Sequence, residues 1–286
     1  MQTLDRLALR DWPLVQPGDA SDKEDRGQVL VVAGSREIPG AALLSATAAL
    51  RAGAGKLTIA TAQSVAPGLA LLMPEARVIG LPETPAGGLL ASGVEQLASC
   101  AASSSAVLVG PGLLDSEGSC EFVERLLRQL SGVPVILDAL AMDVVLQMPR
   151  FQQSVLLTPH AGEMAHLSGH SKDEVVAEAP ALARDIALKH NAVIALKGAT
   201  TFIISPGGES WCHVSANAGM GTSGSGDVLA GIITGLAARG APLVQAAAWG
   251  VVVHALSGQR LAERHGRLGF LAREILREIP SVMRDL

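Results

Sequence analysis

The feature that most constrains the fold is a series of short, almost wholly apolar runs set apart by segments of helical length. They occupy residues 28–33, 57–60, 78–81, 107–109, 135–137, 155–157 and 193–196. A strand with one wet face alternates apolar and polar residues, whereas a run that is apolar throughout needs cover on both faces. Parallel strands joined by crossover helices meet that need. The predicted fold is an α/β domain with a mostly parallel central sheet and helices on both faces. Residues 201–214, TFIISPGGESWCHV, break the pattern and read as two short strands around a Pro-Gly-Gly turn, a short antiparallel edge.

At 286 residues the chain fits a single domain spanning 1–286 with a sizeable core. Residues 1–27 are charged and punctuated by Pro and Gly, and are expected to be a lead-in that packs on the body, with no fused second domain. A net charge of -5 argues against nucleic acid as a partner. Cys100, Cys120 and Cys212 are odd in number and far apart, which suits free thiols in a reducing compartment, so the expected location is cytoplasmic. No apolar run reaches the ~18 residues of a membrane span, and acids interrupt the amino terminus where a signal peptide would be apolar.

Chemistry concentrates in residues 217–240, NAGMGTSGSGDVLAGIITGLAARG. Val228, Leu229, Ile232, Ile233 and Leu236 fall on one face of a helix that follows a loop short on side chains. In such a loop Gly221, Gly224, Ser225 and Gly226 let the backbone approach a ligand, and free N–H groups with the positive end of the helix dipole make an anion site. Asp227, in the first turn, reads either as an acid favoured by the dipole or as a general base beside a phosphoryl group. GxGxxG and the Walker pattern are both absent, so phosphate chemistry rests on this loop.

Other strand-end segments carry polar groups: VLVGPG ending at Gly112, VILD ending at Asp138, LLTPHAGE over 156–163 and ALKGATT over 195–201. Ligands of open α/β sheets sit beyond the carboxyl ends of the strands, so these loops are expected to share a site. Lys197, followed by Gly198, Thr200 and Thr201, suits nucleotide phosphates or ribose, or is a surface lysine at a strand end. His160 reads as a ligand contact or as the cap of the next helix. Glu163, His166 and His170 are spaced as metal ligands on one helix face could be, but without a further nearby Cys or His we read them as a solvated face.

In order along residues 23–260, the stretches VLVVAGS with PGAA, LRAGAGKLTIAT, VLVGPGL, LLTPHAGEM, ALKGATT and NAGMGTSGSGDVLAGIITGL resemble the NAD(P)H-hydrate dehydratases. The resemblance implies a ribokinase-like fold and a repair reaction, in which ADP drives dehydration of hydrated NADH or NADPH (NADHX, NADPHX) to the reduced cofactor, giving AMP and phosphate. It implies Asp227 as catalytic residue, Gly224, Ser225 and Gly226 as anion hole, and Lys197, Gly198, Ala199, Thr200, Thr201 and Gly226 as nucleotide contacts. Ala41, Gly112, His160 and Asp227 would meet the hydrated cofactor, with Glu163 holding Mg²⁺ through water. A homotetramer and a separate epimerase for the other epimer are expected as well. Leu140, in LDALAMD, stands where the family often has an acid, and His160 stands where related kinases usually have Asn. The alternatives are a small-molecule kinase of the same fold and a nucleotide sensor without catalysis.

Overall fold

The computed structural model describes residues 1–18, 20–114, 116–215 and 217–286, the side chains of 116 and 117 excepted. Its strands are β1 (Gln2–Thr3), β2 (Gln28–Val32), β3 (Lys56–Ala62), β4 (Arg77–Leu81), β5 (Ala106–Val109), β6 (Val135–Leu137), β7 (Val155–Leu157), β8 (Ala192–Leu196), β9 (Thr200–Ile204) and β10 (Ser210–Val214). They form one sheet in the order β1-β10-β9-β8-β7-β6-β5-β2-β3-β4. From β4 to β8 every neighbour is parallel. The β8–β9–β10 edge is antiparallel, as the Pro-Gly-Gly turn suggested, and β1 adds in parallel to β10.

Successive side chains of a strand point to opposite faces. In β2, Val29 and Val31 enter one buried cluster while Leu30 and Val32 enter the other, and all four are fully buried. β5 divides in the same way, Ala106 and Leu108 against Val107 and Val109. Helices Pro39–Arg51, Ser225–Ala238, Leu243–His265 and Ala272–Arg284 cover the first face. Helices Ser116–Gln129, Ala161–Ser168 and Ala179–His190 cover the second. Both faces are dry, which is why these strands lack polar alternation.

Helix Ser225–Ala238 is the centre of the first layer, packed between helices Pro39–Arg51 and Leu243–His265. Its expected face is buried, but so are Ala230, Thr234 and Ala237. Periodicity identified a side, whereas the helix is enclosed nearly all round. A Cβ at Gly231 or Gly235 would collide with the carbonyl of Ser45 or Ala49, so these glycines set the close approach of the two backbones. Thr234 resolves its buried hydroxyl by donating to the Ala230 carbonyl at 2.7 Å. Leu236→Ala would open a cavity at a fully buried position, at a cost of about 2–5 kcal/mol.

The amino-terminal segment supplies β1, helix Arg6–Arg10 and three buried leucines, Leu4, Leu9 and Leu14. Trp12 stacks on Trp211 with ring centroids 5.6 Å apart, and its carbonyl accepts the Trp249 indole N–H at 2.8 Å. All three cysteines are free thiols. Among the described residues no helix is long and apolar enough to cross a membrane.

Candidate active site

Because β2 and β5–β8 are parallel, their carboxyl ends open on one edge of the sheet, and the polar strand-end residues meet there. Asp138 follows β6, Thr158 and His160 follow β7, and Lys197 follows β8. The Lys197 Nζ lies 3.0 Å from Asp138 Oδ1 and 3.8 Å from Glu163 Oε2. Thr158 Oγ1 donates to the same Asp138 oxygen at 2.5 Å. Asp138 is 2% exposed, so an unpaired carboxylate there would be costly, and Lys197 with Thr158 resolves it. Burial by itself would lower the Lys197 pKa, but the surrounding carboxylates of Asp138, Glu163 and Asp227 outweigh it and hold the ammonium above its ordinary value.

Asp227 stands in the first turn of helix Ser225–Ala238, which starts from Gly224 at φ 86. At this left-handed position a Cβ would strike Leu44 Cδ1 at 2.6 Å. Burial, then the charge of Asp138 and Glu163 against the opposing pull of Lys197, pushes the Asp227 carboxyl up to about 7. A Cβ on Gly226 would come within 3.3 Å of Lys197 Nζ, so the glycine leaves the ammonium its place.

Among the described residues the N–H groups of Gly224, Gly226 and Asp227 have no protein acceptor. That of Ser225 donates to the Thr222 carbonyl at 3.2 Å. This corrects the expectation of a run of free N–H groups from Gly224 to Gly226, because the turn before the helix uses the middle one. What Ser225 offers a ligand is its side chain.

A cleft of about 650 Å³ opens over this loop, lined among others by Lys197, Gly198, Ala199, Thr201, Gly226 and His160. Thr200, the first residue of β9, is not among its lining residues, and the Thr201 hydroxyl bonds back to Gly198. His160 both lines the cleft and caps helix Ala161–Ser168, its Nδ1 accepting the N–H groups of Gly162 and Glu163 at 3.0 Å each. Glu163 answers by accepting the His160 N–H at 2.7 Å. Ala41 and Gly112 also meet: Gly112 has φ 67, and a Cβ on it would stand 2.7 Å from the Ala41 Cβ. Leu140 borders a smaller cavity of about 360 Å³ shared with His160 and Glu163.

Glu163, His166 and His170 do not converge. The helix ends at Ser168, placing His170 beyond it, and His166 turns to Asp143 at 3.4 Å. Among the described residues no group of three His, Cys, Asp or Glu side chains could hold a metal. Sequence reasoning placed Asp138 among the strand-end loops of the site but gave it no role, and did not single out Asn217 or His254. Asp138 had a signal, the acid closing a VILD strand. Asn217, whose Oδ1 accepts the Gly219 N–H at 3.1 Å while its buried Nδ2 has no partner among the described residues, had none.

The profile of the NAD(P)H-hydrate dehydratase family matches residues 29–281. The ADP-dependent (S)-NAD(P)H-hydrate dehydratase of Xanthomonas campestris is 46% identical over 283 residues, 99% of this chain and 96% of that protein. The crystal structure of a ribokinase-like superfamily protein from Enterococcus faecalis superposes with a TM-score of 0.86 at 28% identity, covering 99% of this chain and 95% of the other. The ADP/ATP-dependent NAD(P)H-hydrate dehydratase from Bacillus subtilis, co-crystallised with ATP and Mg²⁺, superposes with a TM-score of 0.81 at 30% identity, covering 95% and 94%. The architecture of the sheet is thus the ribokinase-like one, and this chain belongs to the NAD(P)H-hydrate dehydratase family.

Proposed function

We propose that this chain catalyses the ADP-dependent dehydration of the S form of hydrated NADH or NADPH, restoring the reduced cofactor with release of AMP and phosphate. The observation that carries the mechanism is one half-buried carboxyl, Asp227, pushed up to about 7 beside unpaired backbone N–H groups and the Lys197 ammonium. A base with a pKa near the working pH combines an available lone pair with real proton affinity. Asp227 takes the proton of the ring hydroxyl as its oxygen attacks the terminal phosphoryl group of ADP. The bond from that phosphorus to the AMP oxygen breaks, and the N–H groups of Gly224, Gly226 and Asp227 with Lys197 stabilise the spreading charge. The ring C–O bond then breaks with phosphate leaving, and loss of a proton from the neighbouring carbon forms the ring double bond.

In this reading Lys197, Gly198, Ala199, Thr200, Thr201 and Gly226 hold the nucleotide, while Ala41, Gly112, His160 and Asp227 face the hydrated ring. Lys197 is already committed to Asp138, so it serves phosphate as a charge fixed in place. Mg²⁺ keeps several of its waters and prefers one or two carboxylates plus phosphates, which suits entry with the nucleotide and contact with Glu163 through water. When bound it would neutralise phosphate charge. The free thiols support a reducing, cytoplasmic setting, and we expect a tetramer that depends on a separate epimerase for the other hydrate.

The test is recovery of the reduced-nicotinamide absorbance band from hydrated NADH with ADP, ATP or neither added. Recovery that requires a nucleotide is the expected result, ADP sufficing. A phosphorylated hydrate that accumulates with no recovery would mean a kinase instead, and nucleotide binding with no reaction would mean a sensor.

A further inference from the structure

His254, on helix Leu243–His265, reaches the start of helix Ser225–Ala238 and lines the cleft. Its Nε2 lies 2.9 Å from the Ser225 carbonyl oxygen and 3.0 Å from the Ser225 Oγ. A carbonyl oxygen only accepts, so a bare Nε2 at that distance would set lone pair against lone pair; Nε2 therefore carries the hydrogen. Burial, opposed by the hydrogen bond to the Ser225 carbonyl and aided by a smaller push from Lys197, lowers the His254 pKa to about 4, so the ring is neutral and Nδ1 bears the lone pair.

The tautomer decides what the hydroxyl does. A protonated Nε2 cannot accept, so Ser225 Oγ receives a share of the Nε2–H and keeps its own hydrogen. Among the described residues that hydroxyl has no other partner, although Ser225 is only 4% exposed. With its backbone N–H committed to Thr222, Ser225 presents one free donor, its O–H, at the floor of an anion site.

We propose that His254 is a positioning residue that holds the Ser225 hydroxyl as a donor to the phosphoryl group in the cleft. Resting on the dehydratase reading, this gives the anion hole a side-chain donor alongside its backbone N–H groups. A donor aimed at developing charge acts mainly in the transition state, so its loss lowers kcat more than it raises the nucleotide KM.

Two measurements test it. In steady-state dehydration, His254→Leu and Ser225→Ala should each lower kcat by about 10- to 100-fold with little change in nucleotide KM. The double variant should be no worse than either single one, and His254→Gln, which keeps an N–H near Nε2, should recover to within about fivefold of wild type. Additive losses, or a Gln variant as poor as Leu, would overturn the assignment. Long-range ¹H–¹⁵N spectra of the histidine rings, with His254→Gln identifying the signal, need no turnover. The proposal requires a protonated Nε2 and a bare Nδ1 at neutral pH, and the reverse tautomer would sink it. An inactive wild type with the required tautomer would instead strike the dehydratase reading.

Discussion

The two edges of the sheet carry clefts of nearly equal size and opposite character. That at the carboxyl ends measures about 650 Å³, and one at the amino ends, between Gln153, Asn191, Glu209 and Leu243, about 670 Å³. At the amino edge the polar groups already serve the fold. Gln153 donates to the Leu127 carbonyl, Asn191 closes its helix and donates to the Phe151 carbonyl, and Glu209 accepts from Ser205. At the carboxyl edge Lys197, paired with the buried Asp138, lines the cleft together with Gly226 and Asn217, and the neighbouring loop residues Gly224 and Asp227 add unpaired N–H groups and a carboxyl pushed up to about 7. Volume does not distinguish a site from a crevice. Buried charge and donors that the fold leaves unpaired do.

The comparison breaks first, and hardest, at Asp227. Asp227→Asn should lower turnover by at least about 10² to 10⁴, with nucleotide affinity nearly unchanged in a binding titration. Equal loss of binding and turnover would reduce Asp227 to a structural acid at a helix start. Next, Lys197→Met should weaken nucleotide binding and, by leaving Asp138 buried without its cation, cost about 3–5 kcal/mol in denaturant unfolding. Because Lys197 pulls the Asp227 pKa down, the same variant should move the midpoint of the pH–rate profile upward.

A smaller effect concerns stability. Asp227 has a folded pKa of about 7 against 3.8 for an ordinary aspartate, so between these the native state binds the extra proton. Unfolding free energy from this group therefore falls as pH rises through that window. Asp227→Asn should melt higher than wild type at alkaline pH, by about 2–4 °C for each kcal/mol recovered, with the gain disappearing in acid. Equal melting temperatures at both ends of the range would contradict the raised pKa. Smallest of all, Glu209→Gln at the amino edge should leave turnover within about twofold and stability within about 0.5 kcal/mol. A large loss of activity there would erase the distinction between the two clefts.

Much of this asymmetry was legible in the sequence. Dry parallel strands announce themselves because both faces need apolar cover, and the glycines before Asp227 announce a close backbone approach. The strand order did not, since runs as alike as those of β2, β5 and β8 carry no record of their neighbours. Nor did the pairing of Asp138 with Lys197, 59 residues apart, which only the β6–β7–β8 order brings together. Lys197 is legible as a cation but not as one already half neutralised. His254 sits in an apolar helical stretch that periodicity reads as core, and the two residues of β1 are too short to leave a pattern. The loop of Gly224, Ser225 and Gly226 suggested an anion site of free backbone N–H groups, whereas the Thr222 turn takes that of Ser225, a detail of backbone path that composition does not encode.

The central claim is that Asp227, held as a weak acid by burial and by Asp138, is the base of the reaction. The most direct measurement is kcat/KM for ADP-driven dehydration between about pH 5 and pH 9, which reports the free enzyme's essential base. The account predicts a rate that rises with pH to a midpoint near 7 and then levels, with the step absent from the residual activity of Asp227→Asn. A profile already level at pH 5, as an ordinary exposed carboxylate would give, would contradict it.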